Sequence, residues 1–263
     1  MQTDYQEKLL DRLHIRSRLS LRDAMELLDV SESTARRIFS RMEEDGLVIR
    51  THGGIQKPGH TFTGYSFDTG REENIEKKQA IGREAVKLVD DGDVIFCDSG
   101  TTIQCMCAEL AGRLRREKIS VSIYTNSLAN LDILSGVTEV TLIGGKFRRN
   151  RRDFCGYLAE EVVSKVHFSK VFVGADGCSG EKVFTTTDME TARMNQIVLE
   201  NTDHAFMLTD SSKFFKVSHV LYAPAKQFDT VITDEGIDPG ILMRLKEQSR
   251  TVIVAAVSQE TAG

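Results

Sequence analysis

Asp98, Ser99, Gly100, Thr101 and Thr102 put a carboxylate, three hydroxyls and a glycine at one seam. The apolar run VIFC (94–97) ends there and the helically periodic IQCMCAELAGRL (103–114) begins. A glycine-containing loop that opens a helix gathers free backbone N–H groups, the positive end of the helix dipole and hydroxyl donors into one small volume. That volume suits an anion, phosphate above all. Gly100 lets a ligand approach the backbone, and Ser99, Thr101 and Thr102 add hydroxyl donors. Ser, Thr and Gly are also an ordinary helix-entry composition, so the seam needs company. Other polar loops follow apolar runs in the same way: TNS with Asn126 and Ser127, GGKFRRNRR with Gly145, Lys146 and Arg148, GADG with Asp176, TTTDME, and DSSKF with Asp210 and Lys213. A lysine supplies a point charge to a phosphate, and Asn126, Asp176 and Asp210 are suited to sugar hydroxyls.

These loops are brought together by the elements between them. From residue 74 onward, helical stretches alternate with the β-branched runs DVIFCD, ISVSIYTN, TEVTLIGG, KVFVGADG, HAFMLTD, DTVITDE and TVIVAAV. Strands apolar on both faces and separated by helices predict βαβ units in a largely parallel sheet covered on both sides. In such a sheet the strand C-termini share one edge, where open α/β folds bind ligands.

A second chemistry sits near the N-terminus. Leu9, Leu10 and Leu13 give one helix, over residues 5–15, an apolar face. Ser20 caps a second helix carrying Leu21, Ala24, Leu27 and Leu28; Ser31 caps a third, ESTARRIFSRMEEDG, which Gly46 ends. Two short helices joined by a tight turn make a helix-turn-helix, whose second helix fits the DNA major groove. Ala35, Ile38, Phe39 and Met42 supply that helix's core side, leaving Ser33, Thr34, Arg36, Arg37 and Arg41 for phosphates and base edges. LVIRTHGGIQ then reads as a β-wing, bent at Gly53 and Gly54, with Arg50 and His52 facing the DNA backbone. Residues 1–57 hold ten Lys and Arg against ten Asp and Glu. The argument for DNA is therefore clustering of arginines on the reading element, not overall basicity.

Length and composition set the frame. The chain has 263 residues, 40% hydrophobic and 28% charged, with a formal net charge of −5, which fits a globular protein of two domains. No window offers the roughly 18 apolar residues of a membrane span, and the charged, amphipathic start MQTDYQEKLLDRL is unlike a secretory signal. The five cysteines lack the paired spacing of a metal site, so packed, reduced thiols in a cytoplasmic protein are expected, with neither metal nor cofactor. KPGHTFTGYSFDTG reads as a linker. The expected organisation is a winged helix-turn-helix domain (1–57), a linker (58–73), an α/β sensor domain (74–257) and a tail (258–263).

LRDAMELLDVSESTARRIFSRMEEDGLVIRTHGG resembles the N-terminal domain of the DeoR family of transcription regulators in the spacing of its turn, paired arginines, EEDG and R-x-HGG. The family usually has an acidic residue and Leu after the paired arginines, where this chain has Ile38 and Phe39. The combination DSGTT, TNS, GG, G-x-DG and D-x-SK is similar to the family's C-terminal sensor, and the resemblance runs over about residues 9–254. It implies a fold like that of ribose-5-phosphate isomerase and glucosamine-6-phosphate deaminase, and an effector pocket at 98–102, Asn126, Asp176, Asp210 and Lys213. A lysine common in the family's helix after TTTDME is Asn195 here. The resemblance implies a homodimeric or homotetrameric repressor of a sugar-catabolism operon, bound to double-stranded operator DNA and released by a phosphorylated sugar. The rival is a sugar-phosphate isomerase or deaminase using Asp98, Asp176 or Glu190 as its base; a DNA reader joined to a metabolite site favours the regulator.

Overall fold

The computed structural model describes residues 2–16, 18–45, 47–51, 53–56, 66–179 and 183–257. The chain divides into two compact units, Met1–Thr63 and Gly64–Gly263.

The first unit runs α1 (Gln2–Arg16), β1 (Arg18–Ser20), α2 (Leu21–Leu28), α3 (Glu32–Glu44), β2 (Ile49–Thr51) and β3 (Gly54–Gln56). Its core joins Leu9 and Leu13 of α1, Ala24 and Leu28 of α2, Ile38, Phe39 and Met42 of α3, and Val48 and Ile55 of the wing. The Ser20 hydroxyl accepts from Asp23 N while the Asp23 carboxylate accepts from Ser20 N, a reciprocal cap that fixes where α2 starts. Asp29 ends α2 in the left-handed region (φ 52°), and Ser31 caps α3 two residues later. The turn is therefore tight because one residue reverses the chain and the next cap restarts it. The three-stranded order β1-β3-β2 adds a strand that the sequence pattern did not announce. Gly54 belongs to β3, paired with Thr51 on one side and Ser20 on the other. A Cβ there would lie 1.9 Å from the Leu19 carbonyl oxygen, so only glycine lets the three strands close. Gly46 and His52 lie outside the described residues, as do 57–65, which take in the start of the expected linker, and the expected tail 258–263.

The second unit opens with α4 (Phe67–Glu72), α5 (Ile75–Val86), β4 (Val94–Cys97), α6 (Thr101–Arg116), β5 (Ser122–Thr125), α7 (Leu128–Leu134) and β6 (Val140–Leu142). It continues with the hairpin β7 (Lys146–Arg148) and β8 (Asp153–Cys155), then α8 (Tyr157–Val163), β9 (Phe168–Gly174), β10 (Gly177–Ser179), β11 (Val183–Thr186) and α9 (Met189–Glu200). β12 (Thr202–Leu208), a 3-10 turn (Ser211–Phe215), β13 (Val220–Pro224), β14 (Thr230–Asp234), α10 (Pro239–Gln248) and β15 (Thr251–Ala255) complete it. Seven strands form one sheet in the order β15-β14-β12-β9-β4-β5-β6, every neighbouring pair parallel. They are the seven runs named from the sequence. A smaller antiparallel sheet, β10-β11-β13, stands apart from it.

Alternation along the strands builds two cores. Val171 and Val173 of β9 and Ala205 and Met207 of β12 join α8, α9 and α10 in one cluster. Phe172, Phe206 and Leu208, the residues between, join α5, α6 and α7 in the other. Each buried Val, Leu or Phe side chain contributes roughly 1.5–3 kcal/mol, so helices cover both faces. All five cysteines are buried and none forms a disulfide among the described residues. No helix among the described residues is long and apolar enough to cross a membrane.

Strand order decides where a ligand site falls. From β4 the chain winds outward through β5 and β6, then returns to lay β9 against the opposite side of β4 and winds outward the other way. The crevice at such a reversal is where the loops leaving two neighbouring strands part. Here those loops are 98–100 after β4 and 175–176 after β9. Within the segment expected as linker, residues 67–72 are helical and Phe67 is buried, capped by Ser66. A helix of six residues with one apolar anchor has no periodicity to betray it.

Candidate functional site

The cleft at the β4/β9 reversal is lined by Asp98 through Thr102, Gly174, Ala175, Asp176, Arg151, Thr186, Thr191 and Lys213. It leaves a space of about 30 Å³, room for two or three waters at roughly 10–15 Å³ each. Gly100 and Gly174 face each other across it: a Cβ on Gly100 would stand 3.8 Å from Gly174 Cα and 3.9 Å from an Asp98 carboxylate oxygen. Gly100 has φ −65° and ψ 148°, a conformation open to any residue, so the glycine keeps the mouth wide instead of relieving strain.

α6 begins at Gly100 without a side-chain cap, whereas Ser127 and Asp188 cap the helices they open. Its first-turn N–H groups therefore point toward the cleft with the dipole of a 16-residue helix behind them. Lys213, on the 3-10 turn after β12, lines the same cleft, and its ammonium makes no hydrogen bond or ion pair among the described residues. Acceptors sit opposite. Asp176 Oδ2 accepts from Thr186 Oγ1, Thr187 N and Thr187 Oγ1 at 2.9–3.0 Å. Its Oδ1 has no partner among the described residues. Asp98 Oδ2 accepts from Gly174 N at 3.2 Å, while its Oδ1 is buried and unpartnered.

Burial pushes the Asp98 carboxyl above the usual carboxylate range, only partly opposed by the Gly174 and Ser99 N–H groups and by Arg151. A raised folded-state value means that Asp98 favours the fold below its unfolded value and loses that contribution as pH rises through the folded one. Asp98→Asn, neutral at every pH, is expected to melt a few degrees higher than the parent at pH 7.5. The difference should shrink toward pH 4, and thermal unfolding of both proteins across pH checks it. A variant less stable at pH 7.5 would contradict the assignment.

One side of the cleft is a network of arginines and carboxylates. Buried Asp153 accepts from Arg148 Nε and Nη2 at 2.8 and 2.7 Å and from Ser99 Oγ at 2.8 Å. Arg148 also donates to Asp188 and to Thr191. Burial works against its charge, yet Asp153, Cys155 and Asp188 raise its pKa above the ordinary value. Arg151 reaches further in, donating to Thr187 Oγ1 at 2.7 Å and pairing with Asp188 at 3.3 Å and Asp176 at 3.5 Å.

Of the sequence-predicted effector residues, 98–102, Asp176 and Lys213 meet at the cleft. The others do not line it. Asn126 is buried, its amide donating to the Phe154 carbonyl, and Ser127 caps α7; their loop follows β5, one strand beyond the reversal. A Cβ on Gly145 (φ 149°) would lie 2.7 Å from the Cys155 carbonyl oxygen, so the glycine serves close packing. Lys146 is exposed and pairs with Glu190 at 3.3 Å. Asp210 is buried and caps the 3-10 turn through Ser212 N, with Asn74 donating to it. Arg148 is held by its carboxylates and borders a second, open cleft with Met189 and Glu190. Ser99, though in the cleft, has its hydroxyl donated to Asp153. The loops named from the sequence contain Arg151, Gly174, Ala175 and Thr186 without singling them out, and Thr191 lies outside them. The run of arginines at 148–152 is the available signal, but the sequence does not say which of them turns inward.

On the first unit, Ser33, Arg36, Arg37 and Arg41 are exposed on α3 and Thr34 is half-buried. Ser33, Arg37 and Arg41, four residues apart, form one stripe. Arg37 and Arg41 have no partner among the described residues; Arg36 pairs with Glu32 at 2.7 Å. Arg50 lies on β2, but its side chain and all of His52 are outside the described residues.

Residues 6–60 match the family described as the DeoR-like helix-turn-helix domain, and residues 73–235 the DeoR C terminal sensor domain. The chain is 34% identical over 240 residues to the lactose phosphotransferase system repressor of Lactococcus lactis subsp. lactis, covering 89% of this chain and 91% of the relative. It is 32% identical over 238 residues to the HTH-type transcriptional repressor GlcR of Bacillus subtilis strain 168, covering 88% and 89%. Among solved structures it is similar to ribose 5-phosphate isomerase A of Methanocaldococcus jannaschii, with TM-score 0.41 and 22% identity over 53% of this chain and 54% of that one.

Proposed function

The chain belongs to the DeoR family of transcriptional regulators, and from that premise we propose that it represses a sugar-catabolism operon and leaves its operator when a phosphorylated sugar fills the cleft at the β4/β9 reversal. The observation that carries the sensing half is Lys213: an ammonium without a protein partner among the described residues, beside the uncapped start of α6. A phosphate there would receive the α6 amides and the Lys213 charge. The unpartnered oxygen of Asp98 would accept from a hydroxyl of the sugar. Two or four copies, bound to half-sites about one helical turn apart, would set the stripe Ser33, Arg37 and Arg41 in successive major grooves.

A general base must reach a substrate proton; Glu190 is paired with Lys146 and borders the open cleft, and Asp176 Oδ2 is occupied by Thr186 and Thr187, whereas Asp98 Oδ1 is unpartnered in the cleft, so sensing and turnover are separated by the product assay below. The relatives reported above are named repressors.

The test is a thermal-shift series of the whole chain with pentose and hexose phosphates beside their unphosphorylated sugars. Ligand at 100 times its Kd adds about 2.7 kcal/mol of apparent stability, and only phosphorylated members are expected to shift the transition. Gly100→Ala should fold as the parent does, because its methyl meets only ordinary contacts, yet should lose the shift because that methyl stands in the mouth. Equal shifts with plain sugars, or an undiminished shift in Gly100→Ala, would count against the site; release of isomerised or deaminated product at enzymatic rates would count against sensing alone.

A further inference from the structure

The cleft leaves about 30 Å³, so a phosphorylated sugar would be seated more fully if part of the wall moved. Three walls are anchored by the sheet: 98–100 leaves β4, 174–176 leaves β9, and the turn bearing Lys213 follows β12. Arg151 sits instead on the turn between β7 and β8, a two-stranded hairpin outside the sheet. The backbone beside it is tied, the Arg152 carbonyl accepting from Leu128 N at 2.9 Å and Asp153 bridging Ser127, while the Arg151 side chain is held by Thr187, Asp176 and Asp188. An anion offers its guanidinium a further partner of the opposite charge, which competes with those carboxylates.

The neighbours of Arg151 hold something else. The Asn150 carbonyl accepts from Phe67 N at 2.7 Å. The Arg152 guanidinium lies over the Phe67 ring, 5.9 Å from its centroid, on a residue in the left-handed region (φ 53°). Phe67 is the first residue of α4 and is buried. Midway along α4, a Cβ on Gly70 would rest 3.6 Å from Thr101 Cγ2, a side chain of the cleft. At its end, the buried Lys78 ammonium donates to the Gly70 and Glu73 carbonyls. Burial lowers the Lys78 pKa and the nearby charge of Lys213 lowers it further, so neutralising Lys213 bears on this third tie too. The ties of α4 at Phe67 therefore run to the two residues flanking Arg151 of the cleft, and Gly70 faces Thr101 across space that a Cβ would fill. In sequence, α4 is also the first described element after the segment leading from the helix-turn-helix unit.

We propose that α4 is the output element of the sensor: an anion in the cleft draws Arg151 from its carboxylates, the 150–152 turn shifts with it, and α4 loses or changes its hold at Phe67. This rests on reading the cleft as the effector site and deepens it, since it names the segment that carries occupancy toward the DNA-binding unit. The 150–152 turn is the bistable part, with Arg151 facing carboxylates in one state and an anion in the other.

The test measures hydrogen exchange of the peptide covering residues 66–72 in the whole chain, with inorganic phosphate at tens of millimolar against chloride at equal ionic strength. The melting temperature is followed in parallel. Phosphate is expected to raise the melting temperature and to change the exchange rate of that peptide about fivefold or more, the low end of typical coupling between sites. Arg152→Asn, which suits the left-handed backbone and lacks the guanidinium, should keep the melting shift and lose the exchange change. A melting shift with exchange at 66–72 unaltered in the parent chain overturns the coupling and leaves the cleft as a phosphate site. No melting shift at all means the cleft does not take phosphate and overturns both. If Arg152→Asn fails to fold, the comparison within the parent chain still decides.

Discussion

Arg36→Ala/Arg37→Ala is expected to weaken operator binding by at least about 30-fold, taking roughly 1–3 kcal/mol for each arginine withdrawn from the DNA. Arg37 is the stronger contributor of the pair. It is exposed with no partner among the described residues, whereas Arg36 must give up Glu32 at 2.7 Å before it meets DNA. Both residues are exposed, away from the Ala35, Ile38, Phe39 and Met42 side that packs α3 into its unit. The double variant should therefore keep its stability within about 0.5 kcal/mol and keep the melting shift given by a phosphorylated sugar. Fluorescence anisotropy on operator DNA at several salt concentrations reads the outcome. Fewer cations on the DNA phosphates should also flatten the salt dependence, by about one unit of slope for each phosphate no longer neutralised. Unchanged affinity and unchanged slope would remove α3 from the interface.

Lys213→Ala divides the protein the other way. A hydrogen bond from a charged donor is worth about 1.5–3 kcal/mol, so the sugar phosphate that stabilises the parent chain should bind the variant about 10- to 150-fold more weakly. Operator affinity without ligand should be unchanged, which makes the variant a repressor that no longer responds. The substitution also removes a neighbouring positive charge from Lys78 and Lys216, each of whose pKa is lowered by burial first and by Lys213 next. The folded protein should accordingly be at least as stable as the parent, and a weaker ligand response cannot be put down to a damaged fold. A variant that lost operator binding while still shifting with ligand would reverse the assignment.

The two variants together ask whether the chain is a switch or two unrelated binding units. Coupling between sites is a free energy and must be reciprocal. If sugar phosphate lowers operator affinity in the parent chain, operator must lower sugar-phosphate affinity by the same factor, and the α4 ties at Phe67 are where that factor should vanish.

Much of this was legible in the residues. The seven sheet strands are local apolar runs, and a run buried on both faces carries its own signature whatever its neighbours. Caps are local too: Ser20, Ser31 and the bend at Asp29 set α2 and α3 within a dozen residues, so α3 and its exposed arginines followed from sequence order. The loop 98–102 could be named because strand end, glycine and helix start are contiguous. The order of strands is not contiguous information. Only the placement of β9 beside β4 makes 98–100 and 174–176 neighbours, and it leaves Asn126 and Ser127, one strand further out, to the packing of α7. Nor does composition say which guanidinium of an arginine run turns inward: Arg148 is taken up by Asp153 and Asp188, and Arg151 reaches the cleft. α4 is the clearest case, a six-residue helix whose position comes from a carbonyl at 150, a ring contact at 152 and a lysine at 78, partners that a reading along the chain has no means to assemble.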